Sequence, residues 1–531
     1  MKKIIHFCFT KSLCALLVTL ASVQTISAAE KYELVYIDGF EYELIYDDDT
    51  MIGTASIRTR LLDYETGEFY SIQYDEWNPD SVYYVPSMIG DFPVTSIYGG
   101  FAGFSDLKHV VIPPTVTTIG RGAFAGSSIE TITFDSDYSD VDPITFGVDH
   151  EGNSYPAQGE FSGCERLKTV CFYRPTNKLP SCMFLNCTAL ENVYFNYSSG
   201  HNQNSMSLDT IGNSAFFNCT GLKYFEIPRS VKVIGDCAFA HCDSMESISI
   251  PSGLTSIGKY AFAECRQLLG ITLNPALQFI GEAAFLNCHS LASISLPDAI
   301  TTIHDCTFYD CRNLTNINLS NVTTFGERAF AGCNKLTEID LTKAQNIGLC
   351  AFFGGHVYCV LSRESYKNPS ISYREEGWGT QATTLGSLKR ITLGEKVTLL
   401  DDRTFVGHVP DTITCWAPAP PDFTETTNYN WTFSIEAYDS TVLRVPRVLV
   451  NDYREAFCWN RFVNIEGMTV LGNGDVNGDG QLTISDVAAF IDMLLNGQSG
   501  AANPINADIN GDGNLSIGDI TKLIDLLLNG N

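Results

Sequence analysis

Residues 261–285 read AFAECRQLLGITLNPALQFIGEAAF, and this sentence recurs along the chain. Its aromatic beat falls at Phe216, Phe239, Phe262, Phe285, Phe308, Phe330 and Phe352, at intervals of 23, 23, 23, 23, 22 and 22 residues. Cys219, Cys242, Cys265, Cys288, Cys311 and Cys333 each follow a Phe by three residues. A fixed period of roughly 20–50 residues marks stacked coils, in which no coil buries its own apolar side and each covers the next. In the quoted coil Leu268, Ile271 and Leu273 are apolar and Thr272 is polar, which predicts a short strand with one buried face. Pro275 follows where no ladder hydrogen bond is needed. Leu277 and Ile280 turn inward, Gly281 relieves a bend, and EAAFLNC is expected to return the chain as one helical turn with Phe285 inside. Equivalent strands then pair as a parallel sheet, about 4.8 Å per coil.

The beat extends both ways. Phe101 and Phe124 are again 23 apart. The 37 residues from Phe124 to Phe161 hold a polar insertion, DSDYSDVDPITFGVDHEGNSYPAQG, and the 32 from Phe184 to Phe216 hold NYSSGHNQNSMS. The 53 from Phe352 to Phe405 hold SRESYKNPSISYREEGWGTQ, after which Leu388, Ile391, Leu393 and Val397 restore the sentence. About twelve coils are expected between Phe101 and Phe405. Residues 30–100 read as an N-terminal cap, because YELVYIDGFEYELIYDD alternates around a turn at Asp38-Gly39, a hairpin signal. Residues 101–411 are the array and 412–467 its C-terminal cap, a Pro-rich step, a strand and a short helix carrying Tyr453 and Trp459. Residues 468–474 form a linker to a last module, 475–531.

The pattern L..I.LP, I..IG, AF..C resembles the BspA-type leucine-rich repeat of bacterial surface proteins. That resemblance implies a curved, right-handed α/β solenoid, parallel sheet plus short helices, that acts as a binding surface; it names no ligand.

Residues 1–29 carry Lys2, Lys3 and Lys11, the apolar run LCALLVTLA and Ser27-Ala28-Ala29, which predicts a secretory signal cut after Ala29. The run is too short to span a membrane, and Lys11-Ser12-Leu13 before Cys14 is a poor lipidation signal. The expected location is therefore extracellular or on a bacterial cell surface. Net charge is −28, and −31 once the three Lys of the signal are removed. That balance argues against nucleic acid and anionic membranes, and suits calcium. Sixteen of the 18 Cys follow the signal. Export permits disulfides, but Cys164, Cys187 and the six above occupy one slot per coil, where side chains run parallel and a bridge is disfavoured. A buried thiol ladder is expected. Cys182, Cys237, Cys306 and Cys350 sit two residues before the Phe, and bonds from them to the ladder stay open. No C-x-x-C pair exists, and His241 and His289 read as surface residues of the turn, which argues against a transition-metal site in the array.

The chemistry sits at the end. Residues 475–486, DVNGDGQLTISD, and 508–519, DINGDGNLSIGD, are twelve-residue loops. Asp475, Asn477, Asp479 and Asp486 in the first, and Asp508, Asn510, Asp512 and Asp519 in the second, put side-chain oxygens at positions 1, 3, 5 and 12. Gln481 and Asn514 offer a carbonyl at position 7, and Gly at position 6 permits the sharp turn. Such a donor set suits Ca²⁺, one ion per loop, two in all. Each loop leads into an amphipathic helix, with Val487, Phe490, Ile491 and Leu494 apolar in one and Ile520, Leu523, Ile524 and Leu527 in the other. LGNG and NPINA precede the loops, and Gly and Pro are expected to forbid an entering helix. With Asp at position 12, the doublet resembles the type I dockerin, a small all-α calcium-binding domain. The resemblance implies a cohesin-type module as partner, with Ile484, Ser485, Ile517 and Gly518 at the partner-selecting positions and a two-way binding mode left open. A calcium-stapled module without a cohesin is the other reading.

A ligand face is sought among residues between the inward ones: Tyr224, Glu226, Ser249, Thr272, Ser295, Asn318 and Asp340. The row fits a peptide or glycan held by hydrogen bonds, and equally a solvated sheet; Tyr224 stands nearly alone as an aromatic. Tyr366, Tyr373 and Trp378 in the last insertion are further aromatic candidates. No acid pair, Ser/His/Asp set or phosphate loop argues for catalysis. The reading is a non-catalytic adhesion or binding protein, tethered through its dockerin, with a glycan or host matrix protein as ligand. The alternative is a glycan-binding or hydrolytic component of a polysaccharide-degrading complex.

Overall fold

The computed structural model describes residues 4–5, 18–19, 23–25, 30–37, 40–47, 53–60, 82–105, 107–136, 143–148, 159–176, 178–195, 208–355, 358–361, 371–374, 386–424, 432–497 and 502–529. The signal reading therefore lies largely outside the described residues, as do Tyr366 and Trp378. Two compact units are present, Met1–Ala284 with Leu361–Ser372, and Phe285–Val360 with Tyr373–Asn531.

In the first unit, strands Glu30–Ile37 and Phe40–Asp47 pair antiparallel with Ile37 opposite Phe40, the hairpin the alternation predicts. Gly53–Arg60 adds antiparallel to the second and pairs parallel with Phe92–Ile97, which joins the hairpin to the coils. Five parallel strands follow in register: Val82–Tyr84, His109–Ile112, Thr131–Phe134, Thr169–Phe172 and Asn192–Phe195. Tyr224–Glu226 and Ser247–Ser249 pair parallel in a separate sheet. A second, shorter ladder runs through Val233–Ile234, Ser256–Ile257 and Phe279–Ile280. Inside, Phe101, Phe124, Phe161, Phe184, Phe216, Phe239 and Phe262 are fully buried and stack ring on ring, with Phe216, Phe239 and Phe262 within 2° of parallel at 5.1 and 5.5 Å. Leu268, Ile271, Leu277 and Ile280 are buried as the alternation predicts.

The return segment differs from the helical turn expected. Cys237 and His241 flank Phe239 with φ of 55° and 60°, and Tyr260 and Glu264 flank Phe262 with 56° and 65°. A residue in the left-handed region ends a helix, so each return is a tandem of turns. The reward is a third set of inter-coil bonds: the N–H groups of Cys237, Phe239 and His241 donate to the carbonyls of Lys259, Ala261 and Ala263 at 2.8 Å each. Each non-Gly residue held there costs on the order of 1–2 kcal/mol. Only stacking of the next coil offsets it, which is why this segment reads as helix in isolation. Gly281 is needed for room, since a Cβ there would lie 2.6 Å from the Lys259 nitrogen of the previous coil.

In the second unit Phe285, Phe308, Phe330, Phe352, Phe405 and Phe433 form one stacked column with neighbouring centroids 5.2–5.8 Å apart. Phe433 lies outside the counted beat because it follows Phe405 by 28 residues instead of 22 or 23. Parallel pairing runs from Glu338–Leu341 through Arg390–Leu393, Thr412–Cys415 and Val442–Pro446 to Asn464–Met468. Trp459 ends the column: fully buried, it donates its indole N–H to the Pro421 carbonyl at 2.8 Å and packs against Phe423, Phe433 and Phe462. Tyr453 sits on the helix Val450–Glu455, whereas Trp459 opens a separate 3-10 turn.

The ladder residues Cys164, Cys187, Cys219, Cys242, Cys265, Cys311 and Cys333 keep their thiols free of disulfides. In the first unit the Sγ of Cys187, Cys219, Cys242 and Cys265 donate to the carbonyls of Phe161, Phe184, Phe216 and Phe239 one coil back, at 3.1–3.3 Å. In the second, Cys311 and Cys333 do the same to Phe285 and Phe308. Burial raises the thiols' pKa, to about 11 for Cys164 and about 12 for Cys237 and well above the ordinary value for Cys219, Cys242 and Cys265. The folded state thus keeps protons that the unfolded chain releases near pH 8.5, so stability is full below about that pH and falls as pH rises above it. Urea melts at pH 8 and pH 10 should show the loss, and thiol reagents should label the ladder only after unfolding. Equal stability at both pH values would contradict this.

Candidate metal loops and ligand face

The tail belongs to the second unit. Helices Ile484–Asn496 and Ile517–Asn529 follow the two loops. Thr483 caps the first: its Oγ1 accepts from the Ser485 N–H, and its own N–H donates to Asp486 Oδ2 at 2.8 Å. Between them Val476, Val487, Phe490, Met493, Ala507, Ile509 and Leu523 form a small apolar core. One element departs from expectation. Pro504–Ala507 forms a four-residue helix directly before the second loop, capped by Asn503. Pro at the first helical position sacrifices no hydrogen bond and presets φ, so it starts this turn where Pro inside a helix would break it.

Among the described residues no group of three or more His, Cys, Asp or Glu is gathered as a metal site, and the loop carboxylates are held by backbone N–H groups. Asp475 accepts from the N–H groups of Asp479 and Gly480, and Asp486 from those of Asn477 and Thr483. In the second loop Asp508 Oδ2 accepts from Gly513, and Asp519 from Asn510 and Ser516. Gly480 and Gly513, at position 6, hold φ of 80° and 84°, a conformation that other residues adopt only with strain. Asp508 Oδ1 is buried without a hydrogen-bond partner. Burial first, then the neighbouring Asp519 and Asp512 carboxylates, lifts the Asp508 pKa above the ordinary range. An unsatisfied buried carboxylate oxygen influenced by two further carboxylates fits a hard divalent cation, which would supply the missing partner. Asn510, Asp512 and Asn514 in this loop, and Asn477, Asp479 and Gln481 in the first, stand at the remaining donor positions; Asn510 and Asp512 already order the chain by accepting from Asp512 and Asn514.

Family models decide what these two parts are. Six copies of the BspA type Leucine rich repeat region match over residues 94–151, 201–282 and 232–358, and the Dockerin type I domain matches residues 473–528. The array is a BspA-type leucine-rich repeat region and the tail a type I dockerin domain. No curated protein matches the chain. Among solved structures, a leucine-rich repeat protein from Bacteroides ovatus is 20% identical, covering 79% of this chain and 99% of its own, with a TM-score of 0.41. The pneumococcal vaccine antigen PcpA is 17% identical over 82% of this chain and 99% of its own, with a TM-score of 0.40. A leucine rich cell surface protein from Faecalibacterium prausnitzii is 17% identical over 86% and 97%, with a TM-score of 0.34.

The positions that the dockerin resemblance assigns to partner selection are exposed. Ile484 and Ile517, at loop position 10, are 74% and 77% exposed. Ile491, Leu494 and Ile524, read from sequence as packing positions, are also exposed, with Leu495 and Leu528 beside them. The domain's apolar core is too small to use every apolar residue on its helices, and the surplus forms an uncovered surface. Ser485 and Gly518 are exposed next to the isoleucines.

The leucine-rich repeat face is divided in its use. In the first unit Tyr224, Glu226, Ser249 and Thr272 all point to solvent, and the Tyr224 hydroxyl donates to Glu246 at 2.6 Å. In the second unit Ser295, Asn318 and Asp340 are exposed, but Asn318 spends its amide on the backbone N–H and C=O of Leu296 in the previous coil, and Asp340 accepts from the Thr342 N–H. Glu338 pairs with Arg390 across adjacent strands. These groups are occupied by the ladder itself. Tyr224 is also not alone: Tyr84, Tyr173 and Tyr194 in the first unit are 69%, 43% and 45% exposed. Aligning the strands before the insertions places Tyr84 and Tyr194 in the outward middle slot, a signal available once register is known. His241 corrects another expectation. It is buried, with Nε2 2.8 Å from the Leu361 carbonyl, while the Leu361 N–H donates to the buried Glu264, which Arg266 clamps. The chain returning at Leu361 covers that turn; nothing local to His241 announces it. His289 is half-exposed, 3.2 Å from Asp310.

Among the described residues no helix is long and apolar enough to cross a membrane.

Proposed function

We propose that this chain is a non-catalytic, exported display protein. Its leucine-rich repeat region presents a ligand-binding surface, and its dockerin tethers it to a cohesin-bearing scaffold once two Ca²⁺ ions fill the loops. The reading is carried by the duplicated apolar surface around Ile484 and Ile517, exposed on a domain whose core is complete without it. Exposed apolar clusters on a small domain mark partner sites. Asp475, Asn477, Asp479, Gln481 and Asp486 would hold one ion, and Asp508, Asn510, Asp512, Asn514 and Asp519 the other. Binding orders each loop against its helix and so presents the isoleucines.

Capture of the full chain by a panel of immobilised cohesins, with and without EDTA, tests this. Ile484→Asp or Ile517→Asp alone should lose little, because the other half substitutes. The double variant should lose capture by at least about thirtyfold, the scale of a buried anchor of 2 kcal/mol or more. Calcium-independent capture, or no capture by any cohesin, would sink the tether. Turnover of a plant or host glycan by residues 30–467 would overturn the non-catalytic reading.

A further inference from the structure

The first unit holds an aromatic field on its sheet, with two rows that carry no carboxylate, ammonium or guanidinium group. In the register of the five strands, Tyr84, Val111, Thr133, Cys171 and Tyr194 form one outward row. Beside it run His109, Thr131, Thr169 and Asn192, with His109 Nδ1 2.7 Å from Thr131 Oγ1. Tyr173 extends the field two residues beyond Cys171, on the same face. One strand over and two residues along places Tyr173 and Tyr194 about 8 Å apart, and Tyr84 lies four strands, about 19 Å, from Tyr194.

No Asp, Glu, Lys or Arg occurs in either row, on a chain whose net charge is −28; the flanking charges include Asp135, one strand over from Tyr173, and Glu130, which Arg166 and Lys168 neutralise. The second unit fills the same slots with ion pairs, Glu338 with Arg390 and Arg444 with Glu466. Tyrosine rings standing in water at 43–69% exposure are not part of the core. Their apolar faces suit a partner that is itself amphipathic. Among the groups between them are the hydroxyls of Thr131, Thr133 and Thr169 and the amide of Asn192, which both donate and accept. A neutral glycan matches on each count: C–H faces to lie on the rings, hydroxyls to exchange hydrogen bonds with Thr131, Thr133 and Asn192, and no charge to be repelled by the acidic molecule or to demand a counter-ion. A charged peptide or acidic glycan would find no partner charge in these rows.

We propose that this tyrosine field, centred on Tyr173 and Tyr194 and reaching to Tyr84, is a binding site for neutral polysaccharide. It deepens the display reading above by naming the site and the ligand class. The full chain is run in affinity gels containing mixed-linkage glucan, xyloglucan, arabinoxylan or galactomannan, with polygalacturonate and gelatin as acidic-glycan and protein comparisons, and affinities are then measured by calorimetry. At least one neutral polysaccharide should retard the chain. Tyr173→Ala with Tyr194→Ala should weaken that binding at least about tenfold with an unchanged melting curve, since exposed rings add little to folding. Tyr194→Phe should keep most of it, and EDTA should leave it intact because the dockerin loops lie in the other unit. Binding that survives the double alanine variant, retardation by polygalacturonate or gelatin only, or none by any neutral polysaccharide would each overturn the proposal. Cohesin capture on the same preparation separates the two readings. Capture without neutral-glycan binding sinks this site alone; tyrosine-dependent binding without capture sinks only the tether.

Discussion

Phe239→Ala is expected to destabilise the leucine-rich repeat region by about 3–5 kcal/mol, the range for emptying an aromatic site in a packed interior. Phe239 is fully buried between Phe216 and Phe262, and its ring also meets Phe225 at 5.3 Å. Truncation removes both stacking faces, worth about 0.5–1.5 kcal/mol each beyond area burial, and leaves a cavity between coils. The cavity cannot collapse easily, because the backbone on either side is fixed by the bonds of Cys237, Phe239 and His241 to the next coil. In an array whose coils contact only their neighbours, the damage should stay local first. Hydrogen exchange should therefore speed up in the coils around 216, 239 and 262 before the rest, with the denaturant midpoint falling accordingly. Phe239→Leu keeps most of the volume and should cost clearly less. A loss under about 1 kcal/mol for the alanine variant would mean that the column is not what holds successive coils together.

Calcium removal has the second large effect. An ion that binds only the folded dockerin stabilises it by about 4 kcal/mol at a thousandfold excess over its dissociation constant. Without it, the Asp508 carboxylate sits buried with one oxygen unpartnered among Asp512 and Asp519. Removing that positive charge leaves like charges close together in a domain whose core comprises few side chains. Calorimetry with EDTA should thus abolish the dockerin transition and reduce the helical signal of Ile484–Asn496 and Ile517–Asn529. The main transition of the leucine-rich repeat region should persist, because its interior is apolar side chains and inter-coil hydrogen bonds. The junction should register a small shift. The Gly472 N–H donates to the Asp508 carbonyl, and the Arg447 side chain covers Gly513 so closely that a Cβ there would lie 2.2 Å from Arg447 Cγ. Asp508→Ala in calcium should mimic part of the EDTA effect. Collapse of the main transition with EDTA would show a metal dependence that the donor positions do not account for.

The period of Phe and Cys determined by itself that coils stack, which residues line the interior, and that the thiols form a ladder. Each coil repeats the same local problem, and its solution is written in side-chain size and polarity at fixed spacing. The two dockerin loops were legible for a similar reason: twelve consecutive residues carry the whole proposed donor set. Tertiary structure decided the rest. The return turns hold left-handed residues such as Tyr260 and Glu264 because the next coil bonds to them, and no local propensity favours that. His241 is covered by Leu361, 120 residues away. Asn318 looked available and is spent on the Leu296 backbone, while Tyr84, Tyr173 and Tyr194 come to one face only in the register of strands separated by unequal lengths of chain. Which side chains are consumed by neighbours and which stay free depends on contacts between residues distant in the chain, and a repeat read coil by coil does not contain them.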